Sequence, residues 1–129
     1  MMNLSRFQSH NSNPVNNTVG DCTVRAISKV LGQDWEQTYI DLCLFGYIMS
    51  DMPSANRVWG AYLRNKGYKR SLIPEDADDY TVEKFCREHP KGEYILAISG
   101  HVVAVVNGYY FDTWDSGGEI PVYYWYKEG

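Results

Sequence analysis

Three residues far apart in the chain have the side-chain types of a cysteine nucleophile and its activating groups: Cys22, His101 and Asp112. In that chemistry a thiolate attacks a carbonyl carbon, and an imidazole removes the thiol proton and later protonates the leaving group. A carboxylate fixes the orientation and the tautomer of the imidazole. These residue types indicate acyl-transfer or hydrolytic chemistry, provided that the fold brings the three side chains together.

The segment around Cys22 predicts a loop that turns into a helix at the cysteine. Apolar residues recur at helical spacing over 22–31, Asp21 is a suitable N-cap, and Gly32 is a suitable helix end. A cysteine at a helix N-terminus lies beside unpaired N–H groups and the positive end of the helix dipole. Both favour a thiolate over a thiol, so we interpret Cys22 as the nucleophile.

An Asn-Gly pair at 107–108 lies between two extended runs and predicts a tight β-hairpin. With these two residues as the loop, Val106 faces Tyr109, and His101 and Asp112 become diagonal neighbours on one face of the hairpin. The hairpin therefore places the carboxylate within reach of the imidazole.

Asp115 is the competing carboxylate, because it lies only three residues after Asp112. Its side chain has the opposite parity on the hairpin and falls beyond the strand end. We therefore predict that Asp112, and not Asp115, orients the imidazole; a one-residue shift of register would reverse this choice.

The oxyanion of a tetrahedral intermediate needs hydrogen-bond donors directed at the developing charge. The backbone N–H of Cys22, at the predicted helix N-terminus, is one such donor. A side-chain amide just upstream is the second, and both Asn16 and Asn17 are candidates.

Helical patterns occupy the first half of the chain and extended patterns the second, which predicts an α+β fold in a single domain over residues 1–129. Residues 3–20 lack a hydrophobic period and are interpreted as an ordered arm or loop. Further helices are predicted over 35–49, after a capping box at 34–37, over 54–66 with Ser54 as its cap, and after Thr81. An acidic loop is predicted over 74–79.

The predicted strands should form an antiparallel sheet against which the N-terminal helices pack. Residues 68–73 are expected to form an edge strand, and Pro121 suggests that the last strand is also at an edge. The predicted strands are 68–73, 93–99, 101–106, 109–114 and 120–126.

Composition and charge restrict the classes of partner. The net charge is −4 and no stripe of Lys and Arg accompanies the aromatic residues, which argues against nucleic-acid binding. No segment has the length and apolarity of a membrane span or the apolar core of a signal peptide. Three widely spaced cysteines are not a disulfide framework, so we expect a cytoplasmic protein of a bacterium or a phage.

The remaining cysteines and histidines are interpreted as structural. Cys43 and Cys86 fall in apolar helical stripes, and His10 and His89 lie in a polar arm and at a helix end. Cys86 and His89 have the spacing of half a zinc site, but no second pair follows, so we expect no metal and no cofactor.

The motifs around the three candidate residues resemble those of papain-like cysteine peptidases in two windows, 16–31 and 94–115. Gly20-Asp21-Cys22 is similar to the family's Gly-Ser-Cys, and Asp112-Thr113-Trp114 resembles its Asn-Ser-Trp. Aspartate as the third residue is also found in the related bacteriocin-leader-processing peptidases. The resemblance implies a papain-like fold, a peptide or protein substrate, a tryptophan at Trp114 that shields the histidine–carboxylate bond from water, and Asn16 at the position of the oxyanion-hole glutamine.

Other interpretations of the same residues remain open. Residues 20–27 also resemble the nucleophile motif Gly-Asn-Cys-Leu-Phe-Arg-Ala-Ile of ovarian-tumour-type deubiquitinases, although Val19 stands where those enzymes carry aspartate. An acyltransferase is compatible with the same triad, because the triad does not decide which nucleophile resolves the acyl-enzyme. A papain-fold protein-binding module without catalysis, such as a phage-encoded modulator of a host protein, is the alternative from another class.

Overall fold

The computed structural model describes residues 5–17, 19–73 and 79–127. The four helices of this part of the chain are α1 (Cys22–Leu31), α2 (Trp35–Met49), α3 (Asn56–Asn65) and α4 (Val82–Glu88). The six strands are β1 (Phe7–Ser9), β2 (Tyr68–Leu72), β3 (Glu93–Ile98), β4 (His101–Val106), β5 (Tyr109–Asp112) and β6 (Tyr123–Lys127). Most of the predicted acidic loop over 74–79 lies outside the described residues.

One mixed sheet contains all six strands, in the order β1-β5-β4-β3-β6-β2. The predicted α+β class is confirmed, and β2 lies at the sheet edge as expected. The expectation of a purely antiparallel sheet is wrong at β1, because this short part of the N-terminal arm pairs in parallel with β5. The expectation of an edge position for the last strand is also wrong, because β6 begins after Pro121 and pairs with both β3 and β2.

The predicted hairpin has the predicted register, with Val106 opposite Tyr109. Asn107 and Gly108 have φ values of 50° and 81°, the left-handed conformations that a two-residue turn of this kind requires. The second strand is shorter than predicted and ends at Asp112. The backbone N–H of Thr113 donates to the Asp112 carboxylate at 2.8 Å, so the chain bends at this residue instead of continuing the ladder.

The two faces of the sheet carry separate apolar clusters, as the alternation of side chains along a strand requires. Helices α1, α2 and α3 cover one face, where Val102 and Ala104 of β4 are buried. Helix α4 covers the other face, against Val103 and Val105 of the same strand. The first helix therefore lies directly over β4, the strand that begins at the candidate histidine.

Two of the four residues predicted to begin a helix make a side-chain capping bond. The Asp34 carboxylate accepts the N–H of Gln37 at 2.8 Å, and the Thr81 hydroxyl accepts the N–H of Lys84 at 3.2 Å. The predicted cap at Ser54 is wrong, since the N-cap position of α3 falls on the following residue, an alanine without a capping side chain.

Candidate functional site

Cys22 and His101 meet where the N-terminus of α1 contacts the start of β4. Each is the first residue of its element, and Gly100 turns the chain into β4 with a φ of 70°. The half-buried thiol lines the same cleft as His101, and both the imidazole and the backbone of Val102 interact with it. The structure thus brings together the predicted nucleophile and the predicted base.

The electrostatics of this contact favour a thiolate beside an imidazolium. Burial by itself raises the pKa of the Cys22 thiol, but the interactions with His101 and Val102, together with the charges of His101 and Arg25, outweigh it and the pKa is lowered. Burial likewise lowers the pKa of His101, but the bonds to Asp112 and Cys22 raise it to about 9. Both shifts stabilise the same charge-separated pair.

Asp112 is the carboxylate that contacts the imidazole. His101 Nε2 lies 2.6 Å from Asp112 Oδ2, and the Asp112 side chain is 2% exposed. The same oxygen accepts the hydroxyl of Ser116 at 2.7 Å, and Ser116 is fully buried. Sequence analysis did not identify Ser116, because a serine in a turn has no pattern that distinguishes it from a solvated one.

Asp115 is occupied elsewhere. Its carboxylate accepts the Tyr110 hydroxyl in a short hydrogen bond and the N–H of Gly117 at 3.0 Å. The choice between the two carboxylates therefore follows the register of the hairpin, with Asp112 on the histidine.

Trp114 packs against the imidazole of His101, with ring centroids 4.9 Å apart and the planes tilted by 37°. The indole is 45% exposed, so one side of it faces solvent. The His101 side chain is only 13% exposed. Trp114 thus lies at the position required for the shielding role that the resemblance implies.

The structure does not bring Asn16 or Asn17 to the cleft beside Cys22. Asn16 is exposed, has a φ of 54° and closes a turn with its N–H on the carbonyl of Asn13. Asn17 is also exposed and lines an adjoining hollow. Their role in an oxyanion hole stays a prediction.

Asn56 is the asparagine that lines the cleft itself, at the first turn of α3. Its Oδ1 accepts the indole N–H of Trp59 at 3.1 Å, which leaves its amide NH₂ as a donor. Sequence analysis missed this residue, because nothing in the local pattern of α3 relates it to Cys22.

The cleft has a volume of about 360 Å³ and is lined by Cys22 and His101 together with residues of α3, β3 and β6. No Asp, Glu, Lys or Arg among the described residues lines it. A second hollow of about 420 Å³ adjoins it at Gly20, Thr23 and Ser54 and has an apolar wall that includes Trp35 and Tyr39. The rings of these two residues stack 4.9 Å apart.

Arg25, one turn after the nucleophile on α1, joins two acidic residues behind the site. Its guanidinium lies 2.5 Å from Asp21 and 3.6 Å from Asp112, and its side chain is 10% exposed. Asp21 occupies the predicted N-cap position of α1 but makes no side-chain capping bond there, and its second oxygen accepts the indole N–H of Trp35 at 2.9 Å. Sequence analysis overlooked Arg25, because an arginine in an amphipathic helix is usually a surface residue.

The other two cysteines have different surroundings from Cys22. Cys86 is completely buried in the cluster under α4, and burial raises the pKa of its thiol to about 12. Cys43 is half-buried on α2. Neither lines the cleft.

No protein-family model, curated protein or solved structure matches this chain. Among the helices that the structure describes, none combines the length and the apolarity needed to cross a membrane. The described residues contain no cluster of three or more His, Cys, Asp or Glu side chains that could hold a metal ion.

Proposed function

We propose that this protein is a papain-like cysteine hydrolase that cleaves a peptide or isopeptide bond through a thioester acyl-enzyme. The single observation that carries the proposal is the arrangement of the three side chains: Cys22 and His101 line one cleft and interact, and the imidazole lies 2.6 Å from the buried Asp112 carboxylate. This arrangement of nucleophile, base and orienting group is the one that thiol hydrolases use. The cysteine also opens a helix, where the dipole favours its thiolate.

The contact between His101 and Asp112 supports one route for the protons. His101 Nε2 is bonded to Asp112, so Nδ1 is the nitrogen that exchanges a proton with the Cys22 sulfur. The thiolate attacks the substrate carbonyl, and the oxyanion accepts the backbone N–H of Cys22. The imidazolium then protonates the leaving amine, and the C–N bond breaks as the thioester forms.

Hydrolysis of the thioester reverses these roles. His101 takes a proton from a water molecule, which attacks the thioester carbonyl, and the sulfur leaves as the thiolate of Cys22. Throughout both steps the buried Asp112 carboxylate holds the ring in one orientation. Its additional bonds from Thr113 and Ser116 keep the carboxylate itself fixed.

The cleft suits a neutral polypeptide. Its walls carry no Asp, Glu, Lys or Arg among the described residues, and the adjoining hollow is mostly apolar, with Asp21 in its lining paired to Arg25. The cleft and the adjoining hollow measure about 360 and 420 Å³, and each volume lies within the range of about 300–1,000 Å³ that is usual for ligand sites. A peptide segment with uncharged side chains next to the scissile bond is the substrate class that these walls favour.

Alkylation with iodoacetamide near neutral pH tests the proposal, because Cys43 and Cys86 provide internal references in the same molecule. We expect Cys22 to react fast and selectively, and His101→Ala to abolish the selectivity. Peptide mapping by mass spectrometry identifies the labelled cysteine. Equal, slow labelling of all three cysteines would favour a binding module over an enzyme.

Two further experiments test the reaction itself. An activity-based probe with a peptidyl electrophile should label the wild-type protein and not Cys22→Ala. When each protein is incubated with a proteome and the new peptide termini are identified, only the wild-type protein should produce cleavages. The absence of any such difference, together with unselective alkylation, would refute the hydrolase.

A further inference from the structure

We propose that Arg25 is a positioning residue that keeps Asp112 directed at His101 and thereby maintains the thiolate–imidazolium pair. The inference rests on the proposed function, since it concerns the same site. Arg25 does not line the cleft, so it does not contact the substrate; it contacts Asp112, and its charge also lowers the pKa of Cys22.

The contacts of Arg25 place one buried cation between two buried carboxylates. Nη1 of the guanidinium contacts Asp21 Oδ1, and Nη2 contacts Asp112 Oδ1. Asp21 and Asp112 are 7% and 3% exposed, so water does little to screen their mutual repulsion. Removal of the cation leaves two like charges in the interior, and these repel each other.

The two oxygens of Asp112 have separate partners, and this division explains the role of the arginine. Oδ1 faces Arg25 and the N–H of Thr113, whereas Oδ2 accepts from His101 and Ser116. A rotation of the carboxylate would break the contacts of Oδ1 with Arg25 and Thr113 as well as the bonds of Oδ2 with His101 and Ser116. Arg25 and the N–H of Thr113 therefore hold Oδ1, and this keeps the other oxygen, Oδ2, directed at the imidazole.

Asp21 and Trp35 hold the arginine in turn. The Asp21 carboxylate accepts from Arg25 with one oxygen and from the Trp35 indole with the other. These contacts connect the start of α2 to the triad through a series of fixed polar groups. The same contacts explain why Asp21 makes no capping bond to α1.

Other charged groups near the arginine do not replace it. Lys29 lies one turn further along α1, with its ammonium 4.2 Å from the centre of the Phe111 ring. His10, on the N-terminal arm, has its pKa lowered first by burial and then by the charges of Lys29 and Arg25. The groups that face His101 directly are Cys22 and Asp112.

The test compares Arg25→Met, which removes the charge, with Arg25→Lys, which keeps it, and uses Lys29→Met as the matched control. The ultraviolet absorbance of the thiolate, corrected with Cys22→Ser, follows the ionisation of Cys22. The NMR shift of the imidazole ring follows His101. Together the two titrations give the pH window over which the ion pair exists.

In Arg25→Met we expect this window to narrow from both sides, by roughly one pH unit at each limit, which is the size of shift that a neighbouring charge usually causes. The pKa of Cys22 should rise, because the charge of Arg25 lowers it directly and because the imidazolium is lost earlier. Loss of a neighbouring cation by itself raises the pKa of an imidazole, so a fall in the pKa of His101 is the specific sign that its bond to Asp112 is weakened. A rise in the pKa of His101 would overturn the positioning role. Arg25→Lys should recover part of the width, and Lys29→Met should leave it unchanged.

A purely structural arginine would give a different result. In that case Arg25→Met would have a lower melting temperature than the wild-type protein but the same pH window of the thiolate–imidazolium pair, and that outcome overturns the inference. Arg25→Lys is an independent test in case Arg25→Met does not fold. This variant keeps the charge but loses the forked guanidinium, so a pH window equal to that of the wild-type protein would also contradict the role. A wild-type protein in which Cys22 and His101 titrate at their ordinary values would instead refute the proposed function.

Discussion

The Cys22 thiol interacts with the His101 imidazole, and the two residues line one cleft although they lie in different halves of the chain. The contact joins the first residue of α1 to the first residue of β4. Each partner shifts the pKa of the other in the direction that preserves the charged pair, and this mutual effect is the basis of the following predictions.

The reactivity of Cys22 should persist at lower pH than that of an ordinary thiol. Its lowered pKa keeps the thiolate as the pH falls below 9, and the pair is lost on the acid side only when the pH passes that lowered value. On the alkaline side the imidazolium is lost near pH 9, the raised pKa of His101. The rate of alkylation by iodoacetamide as a function of pH measures the acid limit.

His101→Ala serves as the control for this profile. Without the imidazole the thiol loses its main stabilising partner, so the pH dependence should move upward toward that of an ordinary cysteine. An unchanged profile in this variant would contradict the ion pair.

Asp112→Ala should reduce the rate of acylation of Cys22 far more than Asp115→Ala. Loss of a buried group that orients the base costs about 10²–10⁴-fold. Asp115 bonds to Tyr110 and Gly117, so its removal should lower the melting temperature with little effect on the rate at temperatures where the variant is folded. Release of nitrophenol from p-nitrophenyl acetate measures the rate, and the reverse ranking would refute the assigned triad.

Trp114→Ala should slow the reaction, whereas Trp114→Phe should retain most of the rate. The indole covers one side of His101, and an aromatic contact of this kind contributes about 1 kcal/mol, which corresponds to about fivefold in rate. The same ester assay measures the effect. Equal rates in the alanine and phenylalanine variants would show that the ring does not act as a shield.

Asn56→Ala should lower the rate of acylation more than Asn16→Ala. The amide of Asn56 lines the cleft, whereas Asn16 is exposed in a turn away from it. Removal of one oxyanion donor usually costs about 10²–10³-fold. A larger loss in Asn16→Ala would return the donor to the position that the papain-like resemblance indicates and would require the arm to move toward the cleft.

Asn17→Ala completes this comparison. Asn17 lines the hollow next to the cleft, whereas Asn16 lines neither space. We expect Asn17→Ala to lower the rate of acylation less than Asn56→Ala does. Asn17→Ala should react with iodoacetamide at the rate of the wild-type protein, because alkylation creates no oxyanion.

Several local features could be predicted from the sequence because short-range rules determine them. The bounds of α1 and α2 follow from apolar spacing and from Gly32 and Asp34 at their ends. The Asn-Gly pair fixed the register of β4 and β5, and this register alone selected Asp112 over Asp115. Local propensity and side-chain parity are sufficient for such features, since no distant residue takes part.

Features that depend on distant partners were not predictable. The parallel pairing of β1, the inner position of β6 and the burial of Ser116 arise from contacts between segments with no sequence pattern in common. The N–H of His10 on the arm, for example, bonds to the carbonyl of Asp112 at 2.8 Å. No local rule relates these two positions.

The sequence by itself determined which side chains could act as nucleophile, base and orienting acid, and which helix and hairpin would carry them. The tertiary structure decided that Cys22 and His101 touch, that Arg25 lies between Asp21 and Asp112, and that Asn56 rather than Asn16 lines the cleft. Hydrophobic periodicity specifies the face that an element buries but not the neighbour against which it is buried. Only the packing of α1 over β4 brings the polar groups at their ends within bonding distance.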